Sequence, residues 1–184
     1  MNASSDRLDT AILGGGCFWC VEAVYELIDG VVNVESGYSG GSVDDPTYKQ
    51  VCEGTTGHAE VCRITFDPSR VSYADILQMF FEAHDPTTLN RQGNDIGTQY
   101  RSVIFTANDQ QRETALAYIK QLNESKTFVD PIVTEVVSEE TFYKAEDYHQ
   151  NYYEQHGSQP YCAFVVRPKV EKFRKVFKDR LKLE

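Results

Sequence analysis

The sequence predicts an α+β fold: a ferredoxin-like, split βαβ two-layer core with a mixed sheet, extra helices and a long C-terminal tail of coil and helix. Two observations carry this. Strand and helix signals follow the order β-α-β and then β-α-β over the first 106 residues, as in a split βαβ unit. The strand candidates are short, either apolar throughout or alternating in polarity, while the helix candidates repeat apolar residues every three or four positions. Neither an internal repeat nor a linker divides the 184 residues. The chain is therefore expected to form one domain, 1–184, with a core of about 8–140 and a tail of 141–184.

The elements follow in order. Asp9 to Leu13 reads as a buried strand, stopped by Gly14-Gly15-Gly16. Cys17 to Ile28 carries Val21, Val24, Leu27 and Ile28 at helical spacing, and Gly30 ends it. Val31 to Tyr38 alternates as a strand. Gly40 to His58 reads as a long loop of the kind that usually serves a function. Glu60 to Phe66 alternates as the next strand. Ser72 caps a helix with Asp75 as its capping-box partner, and its apolar face runs from Tyr73 to His84 before Pro86. Asp85 to Gln99 is expected to be a second long loop, and Tyr100 to Thr106 a strand. Asn108 or Asp109 starts a helix that reaches about Glu124. Ile132 to Val137 is a strand, and Lys144 to Gln155 a tyrosine-rich helix. Pro168 suits the first turn of a last helix with the stripe Val170, Phe173, Phe177 and Leu181.

Composition narrows the function classes. Apolar residues make up 41% and charged residues 25%, as in ordinary globular chains. The net charge of −10 argues against a nucleic-acid partner. The charge is uneven, with eight Lys/Arg against three Asp/Glu from Arg167 to Glu184. That basic end reads as the solvated side of an amphipathic helix. No apolar run is long enough for a membrane span, and Met1 to Thr10 lack the apolar stretch of a secretory leader. The expected location is cytoplasmic, with the five cysteines reduced at rest. An odd cysteine count leaves catalysis, metal binding or packing as their use.

Cys17 stands where the Gly-rich turn opens into a helix. A nucleophilic cysteine reacts as thiolate. A helix N-terminus favours that form, and the free amides of the first turn can also stabilise charge on a bound oxygen. A buried, inert cysteine is the alternative. Cys17-Phe18-Trp19-Cys20 is also a C-x-x-C motif, so Cys20 is either a redox partner or part of the buried helix face. Phe18 and Trp19 would wall a small apolar pocket beside the sulfur. Gly54 to Glu60 leads into a strand, where Glu60 taken alone reads as an ordinary solvated acid. Arg91 to Ser102 is dense in glycine and hydrogen-bonding groups, as site-building loops are.

Together these clusters resemble the A-type peptide methionine sulfoxide reductases. The resemblance runs in order through Gly16 to Cys20, Gly37 to Gly41, Pro46-Thr47-Tyr48, Gly54 to Glu60, His84 to Thr88, Gln92 to Ser102, Tyr148-His149-Gln150 and Gln159 to Cys162. It covers roughly Leu13 to Phe177. It implies thiol-dependent reduction of the S-epimer of methionine sulfoxide, free or in proteins, to methionine. Carried onto this chain, Cys17 attacks the sulfoxide sulfur and Glu60 protonates the oxygen. Tyr48 and Tyr100 hold that oxygen, and Asp95 supports them. Phe18 and Trp19 receive the S-methyl group, with His58 also among the substrate-binding residues. Cys162, in the tail, is the recycling thiol that condenses with the Cys17 sulfenic acid, brought in by a mobile Gly157–Pro160 segment. Cys20 and Cys52 are possible additional redox thiols, and Cys62 reads as structural.

The resemblance further implies no metal and no cofactor, with thioredoxin or another dithiol as reductant. The partners are then oxidised proteins and peptides, free methionine sulfoxide and thioredoxin, with no nucleic acid, no membrane and a monomeric chain. Three other classes stay in view. A thioredoxin-like disulfide oxidoreductase would use Cys17 and Cys20 and keep its activity without Cys162. A zinc module would use Cys17, Cys20, Cys52 or Cys62 and His58, but lacks a second paired-ligand motif. A non-catalytic module would bind oxidised or Met-rich peptides without consuming a dithiol.

Overall fold

A computed structural model describes residues 7–183. Met1 to Asp6, most of the segment read as lacking a leader, and Glu184 of the basic end lie outside the described residues. The mixed α+β class expected from the sequence is what is found. The strands are β1 (Asp9–Gly14), β2 (Val31–Ser39), β3 (Ala59–Phe66), β4 (Arg91–Gln92), β5 (Asp95–Ile96), β6 (Val103–Thr106), β7 (Glu135–Ser138) and β8 (Tyr143–Lys144). The helices are α1 (Phe18–Tyr25), α2 (Tyr48–Cys52), α3 (Tyr73–Ala83), α4 (Asp109–Glu124), α5 (Tyr152–His156) and α6 (Arg167–Val176). Six strands form one sheet in the order β7-β6-β1-β3-β2-β8. All its neighbours are antiparallel except β6 and β7, which run parallel.

Alternation along the strands divides the core. Ala11 and Leu13 of β1, with Cys62, Ile64 and Phe66 of β3, face the helices. Ile12, Val61, Val103 and Phe105 face the other side, where Phe142 packs against them. That period of two is what a strand imposes on its side chains. The Ser72–Asp75 capping box forms as read, with both side chains reaching the opposite backbone N–H. Asn108 caps α4 through its side chain.

Several boundaries differ from the reading. The 40–58 loop contains α2, started by a capping box between Thr47 and Gln50. The 85–99 loop contains the β4–β5 hairpin, and Tyr100 ends a 3₁₀ turn rather than opening a strand. α1 stops at Tyr25 and α3 at Ala83, where His84 is already extended. The strand expected from Ile132 begins at Glu135. Lys144 to Gln155 is not one helix. It is the end of β8, a 3₁₀ turn over Asp147–His149 and the short α5. The cause is tertiary: Gln150 uses its amide to accept from Ser36 N–H and donate to Ser36 and Ala145 carbonyls, which pins this stretch against β2.

The tail is mostly ordered helix. Its chain is helical from Pro160 to Val176, with a π turn over Cys162–Val166. Val170, Phe173 and Phe177 are buried as the stripe predicts. Lys182 N–H bonds back to Leu27, and Ile28 pairs with Leu181, so the basic end is tied to the end of α1. Among the described residues no helix is long and apolar enough to cross a membrane.

Candidate active site

The turn after β1 places Cys17 as the residue preceding α1, and nothing larger than glycine fits before it. Gly16 has φ +89°, and a Cβ there would lie 2.6 Å from Cγ of Gln92. At Gly15 a Cβ would press within 3.0 Å of His84 and Phe80. These neighbours are themselves fixed. Gln92 accepts from Asp85 N–H and donates to its carbonyl, and His84 donates to Phe80 O and accepts from Ser102. The Cys17 thiol is thus held in a tightly packed corner, 7% exposed.

Glu60 faces it from β3. Its side chain is 1% exposed, and Oε1 accepts the Phe18 N–H at 3.1 Å. Oε2 is buried with no partner. Burial, reinforced by Asp95 and Cys20, pushes the Glu60 carboxyl up to about 8 despite the Phe18 bond. It is therefore a neutral acid at pH 7, and its O–H is a donor with nothing to donate to. Glu60 is not the solvated acid that its loop-edge position allowed.

Cys17 differs from expectation. Burial raises its thiol well above the ordinary cysteine range, and a hydrogen bond to Cys20 and the nearby Glu60 add to this. Of the helix-end amides only the Trp19 N–H favours the thiolate, because the Phe18 N–H is taken by Glu60. Cys20 is lowered, chiefly by the Cys17 hydrogen bond and then by Lys169. The site thus holds a thiol and an acid, both neutral.

An aromatic wall completes the corner. Phe18 is fully buried and stacks on Tyr48 with centroids 6.3 Å apart. Trp19 lies flat against Tyr152 at 3.7 Å and donates its indole N–H to His149 Nδ1 at 3.0 Å. The His149 proton must then sit on Nε2, which is buried and unpartnered. Burial raises the Tyr48 and Tyr100 phenols, so both remain donors. Asp95 on β5 accepts from Tyr161 at 2.6 Å.

The remaining predicted residues fall elsewhere. His58 is buried but fully occupied: Gly41 N–H donates to Nδ1, and Nε2 donates to Val43 O. It braces the Gly41–Val43 turn. Cys52 ends α2 and is exposed, while Cys62 is buried against Phe18 O. Cys162 is fully buried in the π turn, not carried on a free loop. Among the described residues no cluster of three His, Cys, Asp or Glu side chains could hold a metal ion.

Sequence reasoning assigned no role to Tyr38, Glu146, His149, Tyr152 or Tyr161. Glu146 accepts from Tyr38 Oη and from Tyr48 N–H, both at 3.0 Å, which ties the tail to the wall. The tyrosine-rich stretch from Lys144 was the available signal.

The peptide methionine sulfoxide reductase family model matches residues 9–181. The chain belongs to this family. Its sulfur chemistry is that of an oxidoreductase. The chain is 56% identical over 183 residues to the peptide methionine sulfoxide reductase MsrA of Polynucleobacter asymbioticus, covering 97% of this chain and 96% of that protein. The same enzyme of Saccharolobus solfataricus is 55% identical, covering 96% and 98%. Among solved structures, reduced Mxr1 of Saccharomyces cerevisiae superposes on this reductase with TM-score 0.80 at 31% identity, covering 88% of this chain and 92% of that one. Mxr1 has also been solved in complex with Trx2; that structure matches with TM-score 0.58 at 23% identity, covering 83% and 89%.

Proposed function

We propose that this chain reduces methionine-(S)-sulfoxide, in proteins and free, to methionine, using Cys17 as nucleophile and Glu60 as acid. The observation that carries the assignment of the acid is the unpartnered, protonated Oε2 of Glu60 beside a buried thiol. A sulfoxide oxygen is an acceptor of the kind that donor lacks. Tyr48 and Tyr100 add phenol donors to hold the same oxygen, and Asp95 supports the site through Tyr161. Phe18 and Trp19 receive the S-methyl group. The wrong epimer would interchange the two, stranding the oxygen among apolar rings.

The reaction balances without metal or cofactor. Cys17 sulfur donates an electron pair to the sulfoxide sulfur as Glu60 protonates the oxygen. Oxygen passes to Cys17, giving a sulfenic acid and methionine. The Cys162 thiol then displaces that oxygen as water, forming a disulfide. A dithiol protein of the thioredoxin class reduces it by exchange, as the Mxr1–Trx2 complex suggests for its own partner. Cys20 and Cys52 remain candidate relays. His58 acts by bracing the Gly41–Val43 turn. The need for reduced thiols suits a reducing, cytoplasmic compartment.

The same reading treats residues 1–184 as one catalytic domain, core 8–140 and tail 141–184, acting as a monomer. The centre of the sheet is then a ferredoxin-like split βαβ unit. Its order β6-β1-β3-β2, antiparallel throughout, supports this.

The test is a single turnover without dithiol. The wild-type chain should yield one methionine per chain and a Cys17–Cys162 disulfide by peptide mass mapping. Cys17→Ser should yield none; continued turnover would remove Cys17 from the mechanism. Disulfide exchange activity surviving Cys162→Ser would favour the C-x-x-C oxidoreductase instead.

A further inference from the structure

Residues 151–162 cross Trp19 as a strap that is held by a carboxylate at each end. At one end Tyr161 donates to Asp95. At the other the acceptor is Glu22, a buried acid for which the reaction has no use. Glu22 lies on α1 one turn beyond Trp19 and is 1% exposed. Its Oε2 accepts the Ser36 hydroxyl at 3.1 Å, and its Oε1 accepts the Tyr152 N–H at 3.3 Å. Asn151, just before, is in the left-handed region at φ 54°. The Tyr152 ring then lies on Trp19, only 6° from parallel, and its hydroxyl donates to Gln159 at 2.7 Å. Tyr161 meets Trp19 edge-on at 5.6 Å. Cys162 follows, with no exposed surface.

A carboxyl inside a protein is costly unless its oxygens are bonded. An apolar side chain would fill the same volume without that cost. What the carboxyl adds is direction: it fixes one amide of the strap, and through that amide the plane of the ring on Trp19. We propose that Glu22 is a positioning residue, docking the strap so that Tyr152 holds Trp19 in place and Cys162 stays covered until it is needed. Its bearing on turnover rests on the reductase reading above; the docking itself does not.

Trp19 is the single tryptophan of the chain, so indole emission, excited beyond the absorption of the tyrosines, reports on this stack alone. Two variants separate the bonding from the packing. Glu22→Met keeps the volume and loses the acceptor, whereas Glu22→Gln keeps an amide oxygen for the Tyr152 N–H. With no substrate present, E22M should raise acrylamide quenching of Trp19. It should also speed iodoacetamide alkylation of Cys162, read by peptide mass mapping, by about tenfold. Amide hydrogen exchange in β1, β3 and β6 should stay as in the wild type. E22Q should remain within about twofold of the wild type in both. Quenching and alkylation unchanged in E22M would overturn the proposal. So would central strands that exchange faster along with the strap, which would make Glu22 a packing residue only, or an E22Q as impaired as E22M. No arm contains sulfoxide. A wild-type chain unable to reduce methionine sulfoxide would sink the functional reading and leave this test standing.

Discussion

Single residues in this site are set by what surrounds them more than by what they are. Glu60 illustrates this. Its carboxyl is ordinary in sequence, yet burial raises it to about 8, so it carries its proton at pH 7. As the acid, it should support catalysis below that value and lose the ability as pH rises through it. The single-turnover rate of methionine formation is expected to fall above about pH 8 for this reason. Glu60→Gln has no proton to give and should slow that step by about a hundredfold or more, with the alkaline fall attributable to Glu60 gone. A rate unaltered in E60Q would remove Glu60 as acid. Stability carries the same sign. A folded carboxyl raised above its unfolded value favours the fold at low pH, and that contribution is lost as pH rises through the folded value. E60Q should therefore gain in Tm relative to wild type more at pH 9 than at pH 5, measured by thermal melts.

The elements hold these residues where the backbone has little freedom. The β1–α1 turn works only with glycine at position 16. An alanine there must take φ +89° and place its Cβ against Gln92. Gly16→Ala is expected to cost more than about 1 kcal/mol in urea unfolding and to lower the rate of Cys17 alkylation or attack through misplacement of the thiol. Ser72→Ala offers the contrasting case. It removes one half of an exposed capping box on α3, away from the site. It should cost about 1 kcal/mol with single-turnover chemistry unchanged, because a helix cap stabilises locally and does not touch Cys17. A loss of chemistry in S72A would mean that α3 positions the site more directly than its contacts indicate.

At the scale of the whole molecule the tail is part of the site. Glu146 holds Tyr38 and Tyr48, His149 holds Trp19, and Tyr161 holds Asp95. Cys162 is buried in a π turn within a continuous helix. If it takes the Cys17 oxidising equivalent, that helix must give up part of its packing. Amide exchange over Cys162–Val166 is expected to quicken when the chain is oxidised by one turnover without dithiol, and to return after reduction. Exchange that stays unchanged while a Cys17–Cys162 bond is mapped would show that the resting packing already allows it.

Much of this protein was legible in the amino-acid sequence. The short apolar run of Ala11 to Leu13, the capping box at Ser72, the stripe on the last helix and the glycines before Cys17 are local signals, each readable within a few residues. They determined the α+β class and, with the ordered motifs, the family, and they marked Cys17 as the candidate nucleophile. Only the tertiary structure decided the rest. Lys144 to Gln155 has helical composition, but Gln150 binds it to β2 instead. Glu60 meets Phe18 across 42 positions and Trp19 meets His149 across 130. Contacts of that separation leave no periodicity in the chain. Protonation is decided in the same way. The helix end alone favours a Cys17 thiolate, but desolvation comes from the packing of distant segments, and in the resting site it outweighs the helix end.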